Sequence, residues 1–273
     1  IEALEHAERI GIRLINSSLN YTIFDAPADS YMFEQLDGRH SIMSRAALAA
    51  ARRGMLIVTS AGNEGQTSWK RIAVPCDADS ILCVGAVDDH GIVAAFSSRG
   101  PSADGRVKPD VVAPGVDVTV LNKWGKKELD SGTSFAAPWV CSMAFHLWSK
   151  VPAATAMDVR DAIIASSSHR LNPDSLRGYG LPNMELAYDT LLRACEASTW
   201  NWFSTGNQDL ICRFNLNPVG PRWLLERDEC GNVISSRFVE SQELEAGIKV
   251  YHRLIEPLVL QLRSDWGEIL ITN

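Results

Sequence analysis

Met55-Leu56-Ile57-Val58-Thr59-Ser60 is a continuous apolar run of strand length, and Ala61-Gly62-Asn63-Glu64-Gly65 follows it directly. A strand without polar alternation is buried on both faces, the condition of a parallel sheet covered by helices. Working outward, Ser41 to Arg53 is Ala-rich and helical, and Gly54 closes it. Before it, Ile12–Asn16 reads as a short strand. Residues 1–10 place Ile1, Leu4, Ala7 and Ile10 about one turn apart, which suits an amphipathic helix ended by Gly11. On the far side, strands are predicted at Ile81–Val87, Val111–Ala113 and Val118–Leu121. A helix then runs from Phe135 to Lys150, with Ala136, Val140, Met143 and Leu147 on one stripe. This alternation predicts a three-layer α/β domain with right-handed crossovers, whose ligand sits at the carboxyl ends of the strands.

Of the 273 residues, 46% are hydrophobic and 22% charged, an ordinary globular composition. A net charge of −7 and the absence of any Lys/Arg run argue against a nucleic-acid surface. No apolar stretch approaches the roughly 18 residues of a membrane span. Ile1 is not a start methionine, so residues ahead of it are expected to have been removed or left out. Of the six cysteines, Cys76, Cys83, Cys141, Cys195, Cys212 and Cys230, none forms a C-x-x-C pair. In apolar runs such as Ile81-Leu82-Cys83-Val84 a buried free thiol is expected. Spacing leaves a Cys212–Cys230 bridge open.

The helix after residue 132 is preceded by Gly132-Thr133-Ser134, with Pro138 near its start. A serine there is most simply a cap, with Thr133 or Ser134 accepting from free N–H groups. Asn63 between glycines is most simply a turn. Together the two segments admit a second reading. Gly132-Thr133-Ser134-Phe135-Ala136-Ala137-Pro138 resembles the nucleophile motif of the subtilisin-like serine peptidases, at every fixed place. Ser60–Gly65 resembles the oxyanion segment of that family. Leu14–Leu19, Phe96–Pro101, Pro109–Gly115 and Gly178–Asn183 are similar to further family segments, so the likeness runs from residue 1 to about 195. Tyr21–Asp25 and Trp69 resemble its secreted Bacteroidetes branch.

The resemblance implies a serine endopeptidase with Ser134 as nucleophile and Asn63 as oxyanion donor. It implies a peptide or protein substrate laid between Ser17, Ser18 and Leu19 on one side and Ser60, Ala61 and Gly62 on the other. Ala73 falls at the bottom of the side-chain pocket, favouring apolar residues. It also implies a cis Val74–Pro75 bond. Asn20 departs from the glycine that family members often carry there. The family's catalytic Asp and His contexts are missing as well. Asp37 and His40 lie in an excursion before the helix, His6 in a surface helix, and His146 and His169 after the serine. The expectation is a three-layer subtilisin-like α/β domain without its N-terminal part, its acid and base upstream of residue 1. The alternative is a non-catalytic, peptide-binding relative. No cofactor is required. Asp77 and Asp79 alternate as ligands of a structural calcium can, or simply form a polar turn.

From about Ser198 the pattern changes. Residues 198–208 read as a linker. Strand candidates then recur at Leu210–Leu216, Trp223–Glu226, Val233–Val239, Ile248–Leu254, Leu258–Arg263 and Ile269–Thr272. They predict a small all-β sandwich over 209–273. Its final pattern resembles the sorting domain of type IX secretion substrates, which implies a secretion-machinery partner and a secreted or cell-surface protein. A generic β accessory domain is the other reading.

Overall fold

The computed structural model describes residues 1–26 and 30–204, and beyond them the strands 209–214, 223–227, 233–238, 248–251, 259–264 and 267–272. The chain divides into two units, Ile1–Leu191 and Leu192–Asn273. In the first, α1 (Glu2–Arg9), β1 (Leu14–Ser17), α2 (Ile42–Arg52), β2 (Leu56–Ser60), β3 (Leu82–Val87) and β4 (Val111–Pro114) alternate as expected. A hairpin of β5 (Val118–Leu121) and β6 (Lys127–Asp130) follows, then α3 (Thr133–Lys150), α4 (Ala156–Ala165) and α5 (Met184–Thr199), the last running past Leu191.

All four strands of the main sheet are parallel, in the order β1-β2-β3-β4. Every residue of β2 and β3 is buried, which is why their sequences show no alternation. On one face α1 and α2 bring Ala7, Ala47 and Ala50 against Met55, Ile57 and Ile81. On the other, α3 crosses the strands on Ala136, Ala137, Val140, Ala144 and Leu147. Three alanines in that set let the helix axis approach the sheet closely, and this aims its N-terminus at the carboxyl ends of β2 and β3. The outer edge of β4 is covered by the 178–180 loop, through Tyr179 N–H to the Asp110 carbonyl and Val112 N–H to the Gly180 carbonyl. Gly178 there has φ +58°, and a Cβ on it would lie 2.1 Å from the Pro109 carbonyl oxygen. Among the described residues β1 has no strand on its outer side.

Several expectations change. Val118–Leu121 does not join the parallel sheet. It pairs antiparallel with Lys127–Asp130, whose four exposed residues carry no apolar pattern to announce a strand. Cys83 is not a free thiol. It is bonded to Cys76, with Cα atoms 5.1 Å apart, within the range a disulfide spans. Cys141 is free, while the Cys212–Cys230 question lies outside the described residues. Val74–Pro75 is cis, as are Gly100–Pro101 and Lys108–Pro109. α4 was not anticipated at all, although Thr155 and Asp158 form a capping box at its start.

The Asp77–Asp79 turn does not fit a calcium ion. Asp77 is fully buried, and its two oxygens accept Gly38 N–H at 2.7 Å and the Ser44 hydroxyl at 2.5 Å. Asp79 accepts the neighbouring Ser80 hydroxyl. Nearby, Lys108 and Asp110 form a buried ion pair at 2.7 Å, and Asp110 also accepts Cys83 N–H at 2.7 Å. That pair pins the start of β4 to the start of β3.

In the second unit, one antiparallel sheet runs β10-β9-β12-β13 (Val233–Phe238, Trp223–Arg227, Val259–Ser264, Gly267–Thr272). Another runs β11-β8-β7 (Ile248–Tyr251, Asp209–Phe214, Trp200–Ser204). Trp200–Ser204, read from sequence as linker, is thus a strand, paired residue by residue with Leu210–Phe214.

Burial raises the Asp77 carboxyl above its ordinary value of 3.8, outweighing the Ser44 and Gly38 bonds that favour the charge. A carboxyl raised in the folded state contributes stability that is full below 3.8 and is lost as pH rises through the raised value. Asparagine can keep both contacts, its oxygen accepting from Gly38 and its amide donating to Ser44. Asp77→Asn is therefore expected to gain stability relative to the natural protein as pH climbs through that window. Urea unfolding at a series of pH values reads this directly, and a stability difference independent of pH would refute it.

Candidate active site

The site forms where β2 ends and α3 begins. Gly132 precedes the helix, Thr133 is its first residue and Ser134 its second. No side chain caps this end in the usual way. Thr133, expected as a cap, reaches across to the other strand end. Its backbone N–H and its hydroxyl both donate to Asn63 Oδ1 at 2.9 Å, and its Oγ1 accepts Gly62 N–H at 3.2 Å. Thr133 is fully buried. Two donors on one oxygen set the orientation of the Asn63 amide. Nδ2 then lies on the Gly132 side, 3.3 Å from where a Cβ on that glycine would be.

Gly62 makes this approach feasible. Its φ is +105°, and a Cβ on it would stand 2.9 Å from Ser98 Oγ. Ser98 in turn donates its N–H to the Gly62 carbonyl and accepts Glu64 N–H on its hydroxyl. Ser98 carries no sequence signal of this role beyond its place in Phe96–Pro101.

Ser134 is half-buried at the second position of α3, where an N–H has no partner within the helix. Neither that N–H nor the side-chain hydroxyl has a hydrogen-bond partner among the described residues. Its carbonyl does have one. Pro138 is the sixth residue of α3, one turn deeper than expected, and it lacks the N–H that Ser134 C=O would normally accept. The freed oxygen accepts the Ser18 hydroxyl at 3.0 Å. The proline therefore ties the end of β1 to the serine.

The predicted substrate-binding residues fall into two sets. Ser17 ends β1, and Ser18, Leu19 and Asn20 continue beyond it, with Leu19 63% exposed. The backbone groups of Ser18–Asn20 make no hydrogen bonds among the described residues. Across from them, Ser60 and Ala61 are fully buried. Here the expectation of pairing on both sides is not met. Ala61 N–H donates to the Val84 carbonyl and its C=O accepts Ala73 N–H, while Gly62 is engaged with Thr133 and Ser98. Ser60–Gly62 can serve as a wall and Ser18–Asn20 as a free backbone edge. Ala73 is buried behind that wall.

The candidate acids and bases are elsewhere. Asp37 accepts the N–H groups of Arg39 and His40 on its own loop. His6 is exposed on α1, and His169 contacts Ser168 and Arg177. His146 is twelve residues along α3, about 18 Å from Ser134 at the helical rise. No histidine among the described residues bonds to Ser134. Nor do three or more His, Cys, Asp or Glu gather anywhere among them in a way that could hold a metal ion.

The chain is similar in sequence and fold to known serine proteases. The chain is 32% identical over 188 residues to subtilisin DY of Bacillus licheniformis, covering 68% of this chain and 61% of that protein. It is 31% identical over 163 residues to the serine protease AprX of Bacillus subtilis, covering 52% and 37% respectively. Among solved structures, the prenylagaramide maturation protease PagA superposes with a TM-score of 0.56 at 26% identity, over 70% of this chain and 65% of the other. The chain thus spans less than two thirds of the length of these relatives. Residues 1–181 match the Subtilase family, peptidase S8. With that match over most of its length and a parallel α/β sheet carrying the motif serine at a helix start, the chain belongs to the subtilase family.

Proposed function

We propose that residues 1–197 are the nucleophile-bearing part of a serine endopeptidase. In this reading Ser134 Oγ attacks the carbonyl carbon of a peptide bond while a histidine takes its proton. That histidine and its orienting carboxylate come from residues preceding Ile1. The oxygen turned anionic in the tetrahedral intermediate accepts from Ser134 N–H and Asn63 Nδ2. The amine then leaves with the proton from the histidine, and water later releases the acyl group from Ser134. The observation that carries the reading is the pair of hydrogen bonds from Thr133 to Asn63 Oδ1, which turns the amide donor to the Gly132 side, two residues before Ser134 and its unpartnered N–H.

Two further features support an incomplete catalytic domain. Among the described residues no strand pairs with the outer edge of β1. Next to it lies a groove of about 710 Å³ lined by Leu14, Asn16, Cys141, Phe145 and Trp148, with Phe145 60% exposed. Parallel sheets bury both faces and rarely leave such a surface bare. In the same proposal the strands from Trp200 onward belong to an accessory β domain serving export, with a secreted or cell-surface protein as the result. The support for that part is its resemblance to sorting domains and the kinship with subtilisins. No described helix is long and apolar enough to cross a membrane.

A fluorophosphonate probe tests the reading on two proteins, residues 1–273 alone and the same chain extended through its upstream coding sequence. An alcohol without a base stays protonated near neutral pH and is a poor nucleophile. Labelling of Ser134 is expected in the extended form only. Labelling of neither form favours the non-catalytic peptide binder, and labelling of the short form places a base within residues 1–273.

Asn63→Asp separates the two jobs of that side chain. An aspartate still accepts from Thr133, so thermal stability is expected to stay close to that of the natural protein. The donor is lost, so kcat should fall by about 10²–10³ with little change in KM, a size carried over from donor removal in a subtilisin. A large rise in KM at constant kcat would remove Asn63 from the oxyanion role.

A further inference from the structure

In the endopeptidase proposed above, the substrate side chain next to the cleaved bond enters between the free edge Ser18–Asn20 and the wall Ser60–Gly62. Three backbone bonds set the width of this space. Tyr21 and Val74 exchange N–H and C=O at 3.1 and 3.2 Å, and Ala73 N–H donates to the Ala61 carbonyl at 3.3 Å. The Tyr21 pair fixes the edge to the segment carrying Ala73, and the Ala73 bond fixes that segment to the wall. Neither side can swing outward without breaking one of these backbone bonds.

Asn20 spans the remaining gap. Its Nδ2 donates to Ser60 Oγ at 3.0 Å, and its Oδ1 lies 3.5 Å from where a Cβ on Gly62 would sit. The amide is thus stretched from the edge to the wall. Ser60 is fully buried, so displacing Asn20 strands a hydroxyl away from water. A branched or aromatic side chain has to push the amide aside.

We propose that Asn20 is a specificity-determining residue that restricts the substrate residue next to the cleaved bond to small side chains, alanine, glycine or serine. This rests on the endopeptidase reading above and on the placement of the pocket between these two segments. The open apolar pocket suggested by Ala73 alone is closed off by one polar side chain from the opposite segment.

The test uses the natural protein carrying residues 1–273 and its Asn20→Gly variant, with peptide anilides that differ only in Ala or Phe before the cleaved bond. The natural protein is expected to favour Ala in kcat/KM by on the order of tenfold or more, the scale of discrimination by pocket size. Asn20→Gly should raise the Phe-to-Ala ratio of kcat/KM by at least about tenfold. Ser60→Ala frees the amide without removing it and should shift the ratio the same way by less. It also carries the test if Asn20→Gly does not fold. Hydrolysis with a Phe-to-Ala ratio unchanged by both substitutions overturns the gate and leaves the peptidase reading standing. If no anilide is cleaved, the peptidase reading fails, and binding of labelled peptides ending in Ala or Phe decides the gate by fluorescence anisotropy. A gain in affinity confined to the Phe peptide in Asn20→Gly upholds it. Equal affinities, or no binding of either peptide, overturn it.

Discussion

One side chain holds the site together. Thr133 joins the start of α3 to the end of β2 through three hydrogen bonds, two into Asn63 Oδ1 and one from Gly62 N–H. Each element end carries backbone groups that secondary structure leaves unpaired, and burial makes them costly to leave so. The threonine settles them against each other. Its hydroxyl both donates and accepts, which a cysteine does poorly and a valine not at all. The orientation of the Asn63 amide and the position of Ser134 both follow from that junction.

The same logic repeats around the site. Pro138 removes a helix hydrogen bond, and Ser18 takes the acceptor it frees. Gly62 carries a conformation other residues resist, and Ser98 closes against it. Asn20 and Ser60 meet across the pocket. In each case a local departure from regular structure is satisfied by a residue distant in sequence. The sheet beneath is regular and apolar. Its two central strands are fully buried, so the irregular ends rest on a rigid base. Polar side chains at strand ends thus define a surface whose shape the core cannot vary.

Much of the architecture was legible in the residues. The unbroken run Met55–Ser60, the Ala-rich helix before it and the one-turn spacing of residues 1–10 led to β2, α2 and α1 within a residue or two. Lys127–Asp130 was not legible, because an exposed hairpin strand has no buried face to impose a pattern. The Cys76–Cys83 bond was hidden for another reason. A seven-residue separation becomes a 5.1 Å approach only because the turn at Asp77 folds back on the strand it precedes. Asp77 and Asp79 alternate as calcium ligands can, yet Asp77 is drawn inward by Gly38 and Ser44, some 35 residues away in sequence. Spacing along a chain carries no information about such partners.

The sequence by itself determined the fold class, the family likeness and the two segments that carry the site. Hydrophobic periodicity and short motifs are local properties, and each is written in a few consecutive residues. The tertiary structure alone decided that Thr133 locks the amide rather than capping the helix. It also decided that the backbone of Ala61 and Gly62 is engaged while that of Ser18–Asn20 is free. The bridge from Asn20 to Ser60 belongs with these. Asn20 and Ser60 are 40 residues apart and Thr133 and Asn63 are 70, and across such distances a polar group's role is set by whichever partner the packed core brings within hydrogen-bond reach.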